Sequence, residues 1–392
     1  MISVEEARRI IMAHVPLKEP DTVSLADAFG AWSATDVFAP HDHPLFDMSA
    51  VDGYAFAFDP GVKEWTIDGT IAAGSSHVGQ VRPGGCVRIF TGAMLPPGTD
   101  TVVMQEFVTV KGGRIMHGDD RLTCGANVRR KAEQVKQGEQ MLPAGSLITP
   151  AVIGGLASVG LGTLSIKYAP EVAVLVTGNE FIENGRLVPG RIFSSNDVML
   201  DAALRSIGAI SDIAHVADDL GELVRSIEQA ASLNEVIITT GGASVGDHDL
   251  VHEAVLRAGG AVHFHGVAQK PGKPMLFATV HGRPLFGLPG NPRAVFVLFH
   301  AYVRPFLCAM RGARDPAGII DHLPLSAPLE MKGERAEFRA ARVHGGRVTL
   351  LQDEGSHMLR SLMEADALIY FPADRRSWQE GDPVEVHYLS ER

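Results

Sequence analysis

Two apolar runs, VAVLVTG at 172–178 and EVIITTGG at 235–242, constrain this chain more than any other feature of it. Each is continuous rather than alternating, and each ends on glycine. A strand with one wet face alternates apolar and polar residues, whereas a continuous run suits a strand covered on both faces. After the first run, Asn196 is placed to cap DVMLDAALRSI, which stops at Gly208. An apolar segment ending near Ala217 and a helix from about Leu220 to Ala231 precede the second run. Asp219 is the better cap for that helix and Asp218 the alternative. DLVHEAVLRAGG, AVHFHGV, MLFATV and PLFGLPG then carry the alternation into AVFVLFHAYVRPFL. Strand–helix alternation over about 140 residues predicts a doubly wound, mostly parallel α/β sheet.

The flanking segments have a different texture. Ser3 and Glu6 make a capping box, Val4, Ala7, Ile11 and Val15 follow a helical stripe, and Pro16 ends it. From about 38 to 132, short apolar runs such as YAFAF, CVRIF, TVVMQEF and GRIMH are broken by Gly and Pro, as in a small β-rich domain. Residues 133–168 return to mixed turn and helix, with Pro150 at a helix N1 position. Residues 313–392 read as a small β domain with turns at HGGR and EGDP. A length of 392 residues agrees with two to four domains.

Composition removes several function classes. Lys plus Arg is 35 against 46 for Asp plus Glu, a net charge of −11. Such a chain lacks the dense positive charge needed to bind nucleic acid or anionic membrane non-specifically. Cys86, Cys124 and Cys308 lie far apart and outside any CxxC pair, so neither a disulfide framework nor a zinc ribbon is expected. The N-terminal MISVEEARRIIMAHV lacks the basic start and long apolar core of a secretory signal. No uninterrupted apolar run reaches the eighteen or so residues of a membrane helix. The expectation is a soluble, cytoplasmic protein. Walker A, GxGxxG and GxSxG patterns are missing, which leaves P-loop hydrolysis, dinucleotide redox and serine hydrolysis unsupported.

In an open α/β sheet, ligands bind outside the carboxyl ends of the strands. TGNE (177–180), GGASVGDHD (241–249), KPGKP (270–274) and GLPGNP (287–292) all fall there. Gly241 and Gly242 permit a sharp turn, and Ser244, Val245 and Gly246 lead to Asp247, His248 and Asp249 at a helix start. Successive N–H groups in such a loop form an anion nest, and the helix dipole adds to it. The plain alternative is an ordinary strand-to-helix turn with Asp249 as N-cap. In KPGKP a rigid Pro-Gly turn lets Lys270 and Lys273 converge on one anion. GLPGNP offers a tight loop with Pro289, then Pro292 at a helix start, and Arg293 as one more anion contact. Glu180, Asp218, Asp247 and Asp249 supply carboxylates of the kind that hold Mg²⁺ beside phosphate oxygens. The β-rich segment adds PLFDMSAVDGYA, with Asp47, Ser49, Asp52 and Tyr54, and RIFTGAMLPPGTDTVVMQE, with Thr91 and Asp100. His41-Asp42-His43 and His263-Phe264-His265 have metal-ligand residue types, although a structural role is the better reading of both.

In this order, SAVDGYA, TGAMLPPGTDTVVMQE, TGNE, GGASVGDHD, KPGKP and GLPGNP resemble the molybdopterin molybdenumtransferase family, the MoeA group that includes the E domain of gephyrin. GSHMLRSLMEADALIYFP (355–372) extends the resemblance into the last domain. The resemblance implies four parts: an elongated domain from 1–38 and 133–168, a β-rich domain inserted at 39–132, a molybdopterin-binding α/β domain at 169–312, and a C-terminal β-barrel at 313–392. It implies a homodimer whose active site lies between the α/β domain of one protomer and the β-rich domain of the other. The implied reaction is Mg²⁺-dependent insertion of molybdate into adenylylated molybdopterin with release of AMP. Gly241, Gly242, Ser244, Gly246, Asp247, Lys270 and Lys273 would hold the anionic substrates. Glu180, Asp218 and Asp249 would hold Mg²⁺ or orient the attacking oxyanion, joined by Asp52 and Thr91 of the second protomer. Pro289 and Pro292 would shape the wall, and Ser356 would reach it from the last domain. Implied protein partners are a molybdopterin adenylyltransferase and molybdoenzyme apoproteins, with no nucleic acid and no membrane. Asn179 stands where the family has a carboxylate in TGDE, and MSAVDGYA replaces NSAMDGYA. A molybdopterin-binding scaffold, or a paralogue without transfer activity, is the second reading.

Overall fold

The structure is a computed structural model that describes all residues except 76–78, 182–186, 243–249, 353, 354, 356 and 390–392. Its central layer is a six-stranded sheet in the order Ile210–Val216, Glu171–Thr177, Val236–Thr240, Arg283–Leu288, Leu276–Val280 and Ala261–His265. The first four strands are parallel, with Thr177 beside Val216 and Thr240 beside Leu288. Leu276–Val280 is antiparallel to both of its neighbours, Arg283–Leu288 and Ala261–His265.

The continuous apolar runs follow from helices on both faces. Val172, Val174 and Val176 pack on one side with Leu200, Leu204, Val295 and Leu298. Ala173, Leu175 and Ile237 pack on the other with Leu223, Ile227, Val251 and Val255. Each such fully buried aliphatic side chain contributes about 1.5–3 kcal/mol. The sheet is therefore doubly wound, and its carboxyl edge is where the backbone emerges from the core.

Helix ends mostly obey the local signals. Ser3 accepts from Glu6 N–H, Thr149 accepts from Val152 N–H ahead of Pro150, and Asp219 accepts from Glu222 N–H. Asn196 departs from expectation. It is the first residue of the helix Asn196–Ser206 rather than its cap, and it is buried. Burial near the sheet edge gives its amide tertiary acceptors, which outcompete a local capping bond.

A second departure concerns the helical run Pro292–Met310, 19 residues with a hydropathy of 1.3. By length and composition it suffices to cross a membrane, although Arg293 and Arg304 interrupt any purely apolar stretch. It is instead the interior helix of the chain, with Val295, Val297, Leu298, Phe306 and Leu307 all fully buried.

Three further parts surround this layer. Asp21–Ser24 pairs with Thr163–Ile166, and Val37–Phe38 with Gln140–Leu142, so segments more than a hundred residues apart form one body. Between them a six-stranded sheet runs in the order Thr101–Met104, Gly53–Phe56, Gly85–Ile89, Glu64–Ile71, Arg114–His117 and Val108–Lys111. The C-terminal strands Ala336–His344, Ala367–Phe371, Pro383–Tyr388, Ile320–Pro324 and Arg347–Leu350 curl into a barrel, which a Leu325–Val348 bridge closes. Gln269–Lys270 adds to its edge beside Ala336 and Glu337. The N-terminal helix Val4–Ala13 lies at the junction, where Ala7 and Ile11 share a core with Phe338 and Tyr370.

Candidate functional site

The loops at the carboxyl edge of the α/β sheet are tied to one another by buried side chains. Thr177 Oγ1 donates to Thr240 O at 3.3 Å. Asn196 Nδ2 donates to Thr240 Oγ1 at 3.1 Å and to Gly290 O at 2.9 Å, which links a helix start to two strand-end loops. Gly241 has φ +89, and a Cβ there would lie 2.5 Å from Thr177 O, so only glycine lets the second run turn this closely past the first. Asn179 Oδ1 accepts from Asp218 N–H at 3.4 Å. The residue that departs from TGDE thus joins the loop of Glu180 to the loop of Asp218. A cavity of about 700 Å³ opens beside them, lined by Asn179, Phe181, Phe193, Asp197 and His215.

Lys270 and Lys273 line a separate cleft of about 220 Å³ between this edge and the C-terminal barrel. Pro289, Asn291, Arg293, Arg335, Glu337 and Arg339 also line it. Gly272 turns the chain at φ +93, where a Cβ would meet the Leu298 side chain at 2.8 Å. Gln269–Lys270 pairs with the barrel, which places Lys270 opposite Glu337. Glu337 is nevertheless engaged elsewhere, since its Oε2 accepts from Arg339 Nε at 2.8 Å and Nη2 at 2.6 Å. Arg335 donates to Gln269 O at 3.1 Å. The Lys270 and Lys273 ammonium groups have no ion-pair partner among the described residues. Among the described residues the lining thus carries more positive than negative side chains, in a chain whose net charge is −11.

Asp52 and Thr91 lie elsewhere, on the inserted β-rich sheet. Asp52 Oδ1 accepts from both Thr91 N and Thr91 Oγ1 at 2.8 Å. Those two donors, with Arg88 nearby, hold the carboxyl below the usual carboxylate range. It is ionised at neutral pH and serves as the acceptor of both Thr91 donors. Asp52 and Thr91 line neither of the cavities just described.

The other sequence candidates sort by their contacts. Glu180 and Asp218 stand past the ends of adjacent parallel strands, both exposed. Gly242, Pro289 and Pro292 occupy the same edge, Pro292 as the first residue of its helix. Ser244, Gly246, Asp247, His248, Asp249 and Ser356 lie outside the described residues. Arg293, expected as an anion contact, is 2% exposed and donates to Met358 O and Ser361 Oγ, so burial turns it into a tie to the last domain. Asp100 accepts from Phe58 N and Thr101 Oγ1, and Asp47 from Lys131 N and Arg130 Nη1; both hold loops. Asp42 accepts from Gln137 N, His263 packs against His14 with their rings tilted at 45°, and His265 stacks on His252.

The sequence reading missed Arg335, Glu337 and Arg339. Their spacing in GERAEFRAAR was the available signal, because alternate strand residues share a face. No group of three or more histidines, cysteines or carboxylates that could hold a metal ion occurs among the described residues; Glu180 and Asp218 offer one carboxylate each, past the ends of adjacent strands. Mg²⁺ requires no more than one or two protein carboxylates and completes its shell from water and phosphate oxygens.

Three family models together match most of the chain: MoeA N-terminal region (domain I and II) at 2–160, a probable molybdopterin binding domain at 173–309, and MoeA C-terminal region (domain IV) at 322–389. The chain is 34% identical to molybdopterin molybdenumtransferase 2 of Mycobacterium tuberculosis over 100% of both chains. It is 31% identical to the molybdopterin molybdenumtransferase of Bacillus subtilis over 100% of this chain and 94% of that one. Its fold is similar to a molybdopterin biosynthesis MoeA protein from Pyrococcus horikoshii, with a TM-score of 0.82 at 27% identity over 100% of both chains.

Proposed function

The chain belongs to the MoeA family of molybdopterin molybdenumtransferases, enzymes of molybdenum cofactor biosynthesis, and on that premise we propose that it inserts molybdate into adenylylated molybdopterin and releases AMP. The observation that carries this reading is the cleft lined by Lys270 and Lys273, which have no ion-pair partner among the described residues, and walled by Arg335 and Arg339. Both substrates are anions, and charge-assisted bonds to such groups are the strong ones. Lys270 and Lys273 bind the oxyanion, and Gly241 and Gly242 leave room for the substrate to approach the strand ends.

Glu180 and Asp218, with Asp249, would hold Mg²⁺, which would neutralise charge developing on the phosphate oxygens as the anhydride breaks. Asn179 fixes the spacing of the two described carboxylate loops. Asp52, kept ionised by Thr91, accepts a hydrogen bond from a reacting group and orients it. Within one chain Asp52 stands apart from the cleft, which supports a homodimer whose second copy supplies it. The setting is the cytoplasm, with an adenylyltransferase upstream and molybdoenzyme apoproteins downstream.

Incubating molybdenum-free apoenzyme with this protein, adenylylated molybdopterin, Mg²⁺ and molybdate tests the reading by activation and AMP release. Lys270→Ala and Lys273→Ala should each raise the KM for molybdate by about ten- to a hundredfold, the worth of one charge-assisted bond. No activation by the wild-type protein at any molybdate concentration rejects the transfer reaction and leaves the binding scaffold.

A further inference from the structure

We infer that Arg88 is a positioning residue of the active site, which fixes the direction of the Asp52 carboxylate by holding the main chain that follows it and bracing the segment that carries its hydrogen-bond donors. This rests on the reading that Asp52 acts in the reaction. Arg88 lies on the strand Gly85–Ile89, directly across from Tyr54 on Gly53–Phe56. Its Nη1 donates to Gly53 O at 2.9 Å, and its Nη2 donates to Gln105 Oε1. Gln105 in turn donates its own N–H to Asp52 O at 3.0 Å. Two consecutive carbonyls, those of Asp52 and Gly53, are thus held by two residues that are bonded to each other.

The same guanidinium reaches the other partner of the carboxylate. It lies 5.2 Å from the Tyr54 ring centre and 4.9 Å from that of Phe90. Phe90 immediately precedes Thr91, whose N–H and hydroxyl clamp Asp52 Oδ1. Arg88 therefore braces both halves of the clamp: the segment that carries the acceptor and the segment that carries its donors. The backbone has little room to yield on the far side, since a Cβ on Gly53 would lie 1.9 Å from Val103 O. A planar fork that donates in two directions while stacking on rings is a task for arginine, and lysine has only a point charge to offer. An arginine that merely stabilised the sheet would need neither the Gly53 carbonyl and the Gln105 amide nor Phe90 as its contacts.

The test is a double-mutant cycle on the full-length protein, with AMP release and apoenzyme activation as readouts and thermal unfolding as the folding control. Arg88→Gln should lower kcat about tenfold, within the coupling range for residues of one hydrogen-bond network, and leave the KM for molybdate unchanged. Losing the nearby positive charge, it should also move the acid limb of the kcat profile to higher pH. Arg88→Lys should fall between Arg88→Gln and wild type. On an Asp52→Asn background, Arg88→Gln should cost nothing further. Losses that multiply in the double variant, or an unchanged kcat and pH profile in folded Arg88→Gln, overturn the proposal and leave Asp52 in the mechanism. Wild-type kcat in Asp52→Asn instead removes Asp52, and Arg88 with it. Should Arg88→Gln fail to fold, the cycle run with Arg88→Lys decides by the same additivity.

Discussion

Asp52 shows how two short contacts set the chemistry of one side chain. Because Thr91 donates twice to Oδ1, the ionised form is favoured, and the folded-state pKa lies below the value of about 4 for a free aspartate. For a depressed carboxylate, whatever depends on the charged form is present above the unfolded value and is lost as pH falls through the lower, folded one. A kcat profile in this protein should therefore keep its Asp52-dependent activity through pH 5. Thr91→Val, which removes one donor, should move the acid limb upward towards pH 4, as initial rates across pH 3–7 would show in protein checked for folding. Asp52 and Thr91 were readable as candidates from SAVDGYA and RIFTGAM, but the bond between them was not, since 39 residues separate them. Asn196 illustrates the opposite error. Its sequence neighbours favour a capping role, and burial gives its amide Thr240 and Gly290 instead.

At the scale of elements, the carboxyl edge works because glycines let loops pass closer than side chains allow. Gly272→Ala would place a Cβ in a left-handed conformation and 2.8 Å from Leu298, on the turn that separates Lys270 from Lys273. Denaturant unfolding should show a loss of about 1–3 kcal/mol, the cost of overpacking a well-packed site. Molybdate affinity should fall with it, and a variant with full affinity and stability would show that the turn is not held this tightly. In the sequence the doubly wound layer was legible because runs such as VAVLVTG have no polar face and must be covered twice. The interior helix Pro292–Met310 was legible as a helix, but counting unbroken apolar residues underrated its length. Two arginines inside it carry charges that the fold buries beside carbonyls and a serine rather than exposing.

For the whole molecule the consequence is division of labour. One chain sets Lys270, Lys273, Glu180 and Asp218 at its α/β edge, while Asp52 and Thr91 stand on an inserted sheet. If a second copy completes each site, sedimentation should give a dimer. Mixing inactive Asp52→Ala and Lys273→Ala proteins after reversible dissociation should then restore activity, because each hybrid has one site with neither substitution. No recovery in verified hybrids would place both residues in the same protomer's site. By itself the sequence determined the covered sheet, the order of the motifs and the charges they bear, since hydrophobic periodicity and turn chemistry act between near neighbours. Only the tertiary structure decided that Arg335 and Arg339 join Lys270. That follows from Gln269–Lys270 pairing with barrel residues 67 positions further on, and such long-range pairing is set by packing and unmet backbone hydrogen bonds rather than by local spacing.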